Sequence, residues 1–307
     1  MLTIRLRVPT ASHHPLTTTD YAAAFAPESR PIAVTSWRAA VGIRAIPGTP
    51  HEDSASCYPL MPLAGDADLP GGLAELAAAG AVSFVGVTDP HFSPSADDLA
   101  RHFPIVRPFK THFAIDRALG PPAWDKHHRY ETRRAERRCA VRRAPLADVC
   151  DLWCTLYGEL VARHQITGPA AFGDRFFQSL SAQPHFQVFL AEIDGALVGA
   201  SIWFRHADVA YYFLNASNPE GYANGAAYAL MAAACDHYAE CRWINLGGVA
   251  GSGDNPNDGL ARFKRGFANA TLQNHLIAAI LDPALYASLS AGRPDDGWFP
   301  AYRRPNP

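Results

Sequence analysis

The order of apolar and polar positions along the chain predicts an α/β protein. Ala81–Val87 is a mostly apolar run typical of a buried strand, and the alanine-rich helix before it ends at Gly80. Val106–Asp116 alternates apolar with polar side chains, which predicts a half-buried strand, whereas Leu146–Gln165 has a helical period. The elements predicted after that helix are the hairpin strands Gln187–Ile193 and Leu197–Arg205, the strand Val209–Leu214, the helix Ala226–Ala239 and the strand Trp243–Leu246.

The composition sets limits on size, partners and compartment. The chain has 307 residues, of which 48% are hydrophobic, so it can form one large or two moderate domains. Its net charge of −2 gives no general attraction to polyanions, so a polyanionic ligand has to meet a local basic patch. The six cysteines form no paired metal-binding motif, and no apolar stretch is long enough to cross a membrane. We therefore expect a soluble, cytoplasmic protein with reduced thiols.

The stretch from Trp243 to Phe267 joins a short apolar strand, a glycine-rich loop and an amphipathic segment. The loop includes Gly248 and Asp254, residue types that allow tight turns and let a substrate approach the backbone closely. Lys264 lies in the amphipathic segment, where its charge can meet negative charge that develops during a reaction. The alternative interpretation is a solvated turn followed by ordinary surface cations.

A helix beginning near Trp124 has one cationic face. Lys126, Arg129, Arg133 and Arg137 recur at spacings of three and four, which places them side by side on a helix. Phosphate is the natural ligand for such a face, because an arginine fork binds it through two hydrogen bonds. The alternative is a solvated surface with no ligand.

Two blocks of residues resemble the Fem-type transferases. The first block begins with Leu246-Gly-Gly, continues through a polar loop to Gly259-Leu260, and ends with Phe263-Lys264 and Phe267. The second block is Lys110-Thr-His-Phe-Ala-Ile-Asp116, which is followed by the basic helix. Members of this family are non-ribosomal peptidyl transferases with a doubled acetyltransferase-like fold, which move an amino acid from aminoacyl-tRNA to an amine. The resemblance covers Lys110 to Phe267, and the N-terminal third matches only loosely, through Ser36-Trp37.

The resemblance implies an α/β fold of two tandem acetyltransferase-like (GNAT-type) subdomains with mixed sheets. Residues 1–115 with 277–307 would form the first subdomain and residues 116–276 the second. Lys264 would stabilise the oxyanion of the acyl-transfer step, and Phe263 would position the RNA end or the acceptor. Asp116 and Asp254 are the candidates for a general base. The expected substrate-binding residues are Lys126, Arg129, Arg133, Trp37, Tyr212, Asn215, Tyr222, Asn224, Gly248 and Asp254.

The expected co-substrate is aminoacyl-tRNA, with no bound cofactor and no metal. The acceptor would be the primary amine of an antibiotic peptide or of a peptidoglycan precursor, and the short chain slightly favours the former. An acyl-CoA-dependent N-acyltransferase is the alternative, since Gly225 and Ala227 match the coenzyme A pattern although Tyr222 replaces its cation. A non-catalytic RNA- or phosphate-binding module is the third interpretation.

Overall fold

The computed structural model describes residues 13–120, 124–168, 171–249, 258–294 and 296–305. Within these ranges the strands are β1 (Arg30–Val34), β2 (Ala39–Ala45), β3 (Glu52–Ala55), β4 (Ala81–Val87), β5 (Ile105–Asp116), β6 (Ala140–Pro145), β7 (Gln187–Ile193), β8 (Ala196–His206), β9 (Val209–Ser217), β10 (Trp243–Gly247) and β11 (Ala270–Ile280). The helices are α1 (Thr19–Ala23), α2 (Leu69–Ala78), α3 (Ala96–Ala100), α4 (Lys126–Glu136), α5 (Leu146–His164), α6 (Asp174–Ser181), α7 (Pro219–Asn224), α8 (Ala226–His237), α9 (Gly259–Phe267) and α10 (Pro283–Leu289).

The strands form one mixed sheet in the order β1-β2-β3-β4-β11-β5-β10-β9-β8-β7-β6. β5 pairs with β11 along one edge and with β10 along the other, both antiparallel, so it joins the two halves of the sheet. The strands and helices predicted in the second half are all present, and the sheet is continuous where separate sheets were expected. β11 and α7 are elements that the sequence pattern did not predict.

The two faces of the sheet are covered by different layers. Val188 and Leu190 of β7 pack in one hydrophobic cluster, whereas Phe189 and Ala191 pack in another. Successive side chains of a strand point to opposite faces, so the two clusters lie on opposite sides of the sheet. The first cluster contains apolar residues of α1, α5 and α6, and the second contains those of α4, α8 and α9.

Side-chain caps fix where the helices next to the predicted site begin. The carboxylate of Asp125 accepts a hydrogen bond from the backbone N–H of His128 at 2.8 Å and starts α4. Asp258 starts α9 in the same way through Ala261, also at 2.8 Å. Asn218 caps α7 and is the single residue between the end of β9 and the start of that helix. Short polar residues therefore set the positions of all three helices.

The division into two subdomains, 1–115 with 277–307 and 116–276, stays a prediction. β11 runs across its second boundary. The C-terminal segment packs on the first half, where the Tyr302 hydroxyl lies 2.7 Å from the Ser83 hydroxyl and Arg303 pairs with Asp53. Across the described ranges, no helix combines the length and apolar character needed to traverse a bilayer.

Helix α9 packs on α4 through a glycine, and this contact gives a test of the fold. A Cβ added at Gly266 would lie 1.9 Å from the Cε1 atom of buried His128. We expect Gly266→Ala to lower the free energy of unfolding by about 1–3 kcal/mol, because the imidazole would have to move. Gly259→Ala, on the same helix with nothing within 4 Å of the added Cβ, is the matched control. Equal urea midpoints for the two variants would contradict this packing.

Candidate active site

The site begins where the sheet opens between β9 and β10. These strands pair in parallel from Val209 with Trp243 to Tyr211 with Asn245. Beyond that point β9 continues to Ser217, whereas β10 ends at Gly247, whose φ of +74° turns the chain away. The sheet therefore has a gap beside the second half of β9.

Lys264 of α9 lies at this gap. Its side chain is buried, with only 6% of the residue exposed, and its ammonium donates a hydrogen bond to the Gly248 carbonyl. The Nζ atom is 5.6 Å from the centroid of the Tyr212 ring, within range of a cation–π contact. Two residues predicted for substrate binding, Tyr212 and Gly248, are thus brought together with the predicted catalytic lysine.

Burial changes the charge state of Lys264. Desolvation, with a smaller contribution from the Lys110 ammonium, lowers its pKa to about 7, and Asp258 opposes the shift. No carboxylate of the described residues lies within ion-pair distance of its Nζ atom. Both protonation states of Lys264 are therefore populated near neutral pH.

Lys110 of β5 brings a second ammonium to the same place. Its Nζ atom donates a hydrogen bond to the Val249 carbonyl at 3.0 Å, one residue beyond the carbonyl that Lys264 contacts. Burial also lowers the pKa of Lys110. The two lysines concentrate positive charge at one point of a chain whose net charge is −2.

A buried hydrogen-bond network behind the lysines connects β10, β5 and β11. The Asn274 Oδ1 atom accepts from the Lys110 backbone N–H at 2.8 Å, so its Nδ2 atom donates to His112 Nε2 at 3.0 Å. Asn245 Oδ1 accepts from the Gly247 N–H at 2.8 Å and from His112 Nδ1 at 3.1 Å. His112 is therefore neutral and carries its proton on Nδ1.

The neutral state of His112 agrees with its surroundings. Burial first, and then the Lys264 charge, lower the pKa of His112 to about 3. The imidazole thus orders three strands without adding a third positive charge. The Asn245 Nδ2 group is buried and has no hydrogen-bond partner among the described residues.

Asn215 lies on the same side of the sheet as Tyr212. A bulge in β9 places Leu214 opposite Ile202 and Tyr212 opposite Trp203. Leu214 and Ala216 then pack in the first cluster, so Asn215 between them faces the side of Tyr212 and Lys264. Its Oδ1 atom is buried and has no partner within the described ranges, which leaves an acceptor for a bound group.

Two predicted site residues pack in the hydrophobic core instead. The Phe263 ring lies 5.1 Å from the Tyr228 and Phe267 rings, and its carbonyl accepts a hydrogen bond from His128 at 2.9 Å. Trp37 is buried in a cluster of the first half and donates its indole N–H to the Leu69 carbonyl at 3.1 Å. These contacts do not test a substrate role for either side chain, so both roles stay predictions.

The remaining predicted residues lie on the outer surface or outside the described ranges, except for Asp116, which is buried. Lys126, Arg129 and Arg133 are exposed on α4. Tyr222 is 79% exposed on α7, and Asn224 accepts a hydrogen bond from Arg138 at 3.1 Å. Asp254 lies outside the described residues. Asp116 forms an ion pair with Arg242 and accepts a hydrogen bond from the Ala118 N–H. These contacts give Asp116 a structural role.

Four residues of the site were not predicted: Lys110, His112, Asn245 and Asn274. Asn245 is a single polar residue inside the apolar strand Trp243–Leu246, and this contrast was the available signal for a buried network. Asn274 belongs to β11, so it could not be assigned before that strand was known.

The coenzyme A pattern can be compared with the start of the helices after β9. In α7, Pro219 has no N–H, Glu220 is acidic, and the Gly221 N–H is engaged by Asn218 Oδ1 at 2.8 Å. Ala226, the first residue of α8, is fully buried. These helix ends offer few free amides to a pyrophosphate, so the described residues fit coenzyme A poorly.

Comparisons with known proteins agree with this architecture. A family model described as an acetyltransferase (GNAT) domain matches residues 126–265. The structure of FemX superimposes with a TM-score of 0.63 at 12% identity, covering 89% of this chain and 94% of that one. The C-terminal domain of a putative lysylphosphatidylglycerol synthetase from Agrobacterium fabrum gives 0.61 at 15%, covering 89% and 91%.

A third structure, L-PGS from Bacillus licheniformis, gives a TM-score of 0.55 at 11% identity and covers 85% of this chain and 91% of that one. No curated protein matches the sequence. At these identities the structural likeness concerns the fold. The chain therefore has an α/β fold of tandem acetyltransferase-like units built on one mixed sheet.

The burial of Lys264 predicts a stability that depends on pH. Its pKa of about 7 in the folded protein lies below the value of about 10.4 for an unfolded lysine. The unfolded state binds more protons between these values, so wild-type stability rises with pH across that window. We expect Lys264→Met to be about 1–3 kcal/mol more stable than the wild type near pH 7, and less so near pH 10.

Urea unfolding at several pH values measures this difference. Arg262→Met is the matched control, because Arg262 is an exposed cation on the same helix. A stability difference that does not change with pH for Lys264→Met would show that Lys264 is not a desolvated ammonium.

Proposed function

We propose that the protein is an aminoacyltransferase that moves an amino acid from aminoacyl-tRNA to a primary amine of a peptide-containing acceptor. The observation that carries the proposal is the buried Lys264 ammonium, held at the opening of the sheet beside Tyr212 and Gly248. The shared fold with FemX and with lysylphosphatidylglycerol synthetase domains supports a transferase of this kind.

The chemistry requires a cation where an oxyanion forms. The neutral amine attacks the ester carbonyl of the aminoacyl group, which gives a tetrahedral intermediate with a negative oxygen. This attack forms the C–N bond. The intermediate then collapses as the oxyanion becomes a carbonyl again and the C–O ester bond breaks, and the amine proton goes to the departing ribose oxygen. Lys264 in its protonated form donates a hydrogen bond to the oxyanion, and its burial makes that interaction stronger than in water.

The residues around Lys264 have complementary parts in this proposal. The free Oδ1 atom of Asn215 accepts an N–H of the attacking amine and orients its lone pair. Lys110 adds positive potential and attracts an anionic substrate to the opening. Neutral His112 keeps Lys110 and the end of β10 in position through the asparagine network.

The acceptor belongs to the proposal as well. An antibiotic peptide and a peptidoglycan precursor both present a primary amine. We keep both acceptor classes in the proposal, with aminoacyl-tRNA as the co-substrate and without a bound cofactor.

The match to the acetyltransferase domain model favours a second candidate, an acyl-CoA-dependent N-acyltransferase that uses the same opening. The start of α7 counts against it, because Pro219 and Glu220 replace free amide donors with a missing N–H and a negative charge. For this reason we place it second.

The donor distinguishes the two candidates. We expect product to form from charged tRNA and an amine-bearing peptide, and formation to stop when RNase is added beforehand. Acetyl-CoA should give no product and no rise in melting temperature, because the start of α7 offers few amides to its pyrophosphate. Acetyl transfer that resists RNase would favour the second candidate.

The proposed role of Lys264 as the oxyanion donor can be tested by measuring the turnover of a variant without it. Removing a single oxyanion donor lowers kcat by about 100-fold or more, so we expect this loss for Lys264→Ala in single-turnover assays. The substitution of exposed Arg262 by alanine on the same helix should leave kcat near the wild-type value. A Lys264→Ala enzyme with wild-type kcat would exclude the residue from the mechanism.

A further inference from the structure

The outer face of α4 is cationic and largely unpaired. Lys126, Arg133 and Arg137 are exposed, and no carboxylate of the described chain lies within ion-pair distance of them. Arg134 pairs with Glu131 at 3.1 Å, which leaves most of the positive charge uncompensated. Clustered like charges destabilise a helix, so the face carries an energetic cost in the absence of an anionic ligand.

An exposed aromatic ring lies in the middle of this face. Tyr130 is four residues after Lys126, three before Arg133 and seven before Arg137, so it projects between them. Its side chain is 61% exposed, whereas a tyrosine that contributes to the core would be buried. A flat ring surrounded by cations combines the two features that bind single-stranded nucleic acid, base stacking and phosphate pairing.

The face continues onto α7. Arg138, just beyond the end of α4, donates a hydrogen bond to Asn224 Oδ1 at 3.1 Å. Tyr222, two residues earlier, is a second exposed ring with 79% of its surface free. This hydrogen bond holds the end of α4 against α7.

This surface is rigidly connected to Lys264. The inner side of α4 is formed by buried His128, Thr132 and Ala135. His128 donates its Nε2–H to the Phe263 carbonyl at 2.9 Å, so α4 is held against the residue that precedes Lys264. A polymer bound to the outer side of α4 is thus held in a fixed relation to the helix that carries the catalytic lysine.

The chemistry favours RNA over an anionic membrane. Arginines outnumber lysines on the face, and arginine forks suit phosphodiester oxygens. α4 exposes no aliphatic side chain that could enter acyl chains, because Ala135 is buried and the others are polar, charged or aromatic.

We propose that the outer face of α4, with Tyr130 between its cations, binds single-stranded RNA by stacking a base on the Tyr130 ring. This rests on the proposed function in that the RNA delivered there would be the 3′ end region of the aminoacyl-tRNA. Stacking on Tyr130 makes it a binding residue separate from the phosphate contacts of Arg133.

The test measures binding without any transfer reaction. A labelled, uncharged single-stranded RNA and a duplex RNA of equal nucleotide number are titrated by fluorescence anisotropy. We expect Tyr130→Ala to weaken binding of the single strand about tenfold, with Tyr130→Phe near the wild type, since a phenyl ring also stacks. Duplex binding should change little, because paired bases do not reach the ring.

Salt dependence separates stacking from charge. Arg133→Gln should reduce the slope of log K against log salt by about 0.7, the value for one phosphate contact on a single strand, whereas Tyr130→Ala should leave the slope unchanged. Trp298→Ala is the matched control, because Trp298 is an aromatic ring 50% exposed in the C-terminal segment. Both tyrosine variants should keep the wild-type melting temperature.

Two results would overturn the inference. One is wild-type affinity of Tyr130→Ala for the single strand; the other is binding to vesicles of phosphatidylglycerol with none to RNA. RNA binding that depends on Tyr130, in a protein that transfers no amino acid, would uphold the inference and reject the proposed function. Amino acid transfer by Tyr130→Ala with an unchanged KM for tRNA would uphold the proposed function and reject the inference.

Discussion

Strand β5 connects the two halves of the sheet and fixes the register of both. It is hydrogen-bonded along both edges, and Ala114 pairs with Asn245 of β10 on one side and with Ala270 of β11 on the other. A slip of one residue would turn every side chain of β5 to the opposite face. The register that closes the sheet therefore also places Lys110 and His112 at the site, so fold and candidate chemistry cannot be separated.

The site combines features that oppose stability. Lys264 is buried without a carboxylate partner among the described residues, and a second ammonium lies nearby. Buried charges are normally paired, because desolvation strongly disfavours an isolated one. The surrounding carbonyls, the Tyr212 ring and the rigid asparagine network offset part of this cost. The sheet thus supports a lysine whose pKa of about 7 leaves a protonated fraction near neutral pH, the form that the proposed mechanism uses as the oxyanion donor.

Much of the fold could be predicted from the sequence, because the helices and strands of the second half have clear periods and polar caps. β11 could not, since its first half mixes apolar with polar residues and only two residues separate it from α9. Lys264 could be predicted from the Phe263-Lys264 motif. Lys110, His112 and Asn274 could not, because their proximity arises from pairing between β5 and β11, which are more than 150 residues apart in the chain. Exposure of Tyr130 likewise depends on which face of α4 packs on α8 and α9.

The proposed function requires the acyl carbonyl to react beside Lys264. A crystal structure with a stable analogue of the aminoacylated RNA 3′ end, in which an amide replaces the ester, tests it most directly. We expect the analogue's carbonyl oxygen within about 3 Å of the Lys264 Nζ atom, the distance for an oxyanion donor. We also expect that the α-amino group does not displace Tyr212. A carbonyl bound elsewhere, with Lys264 still donating only to Gly248, would contradict the proposed role of Lys264.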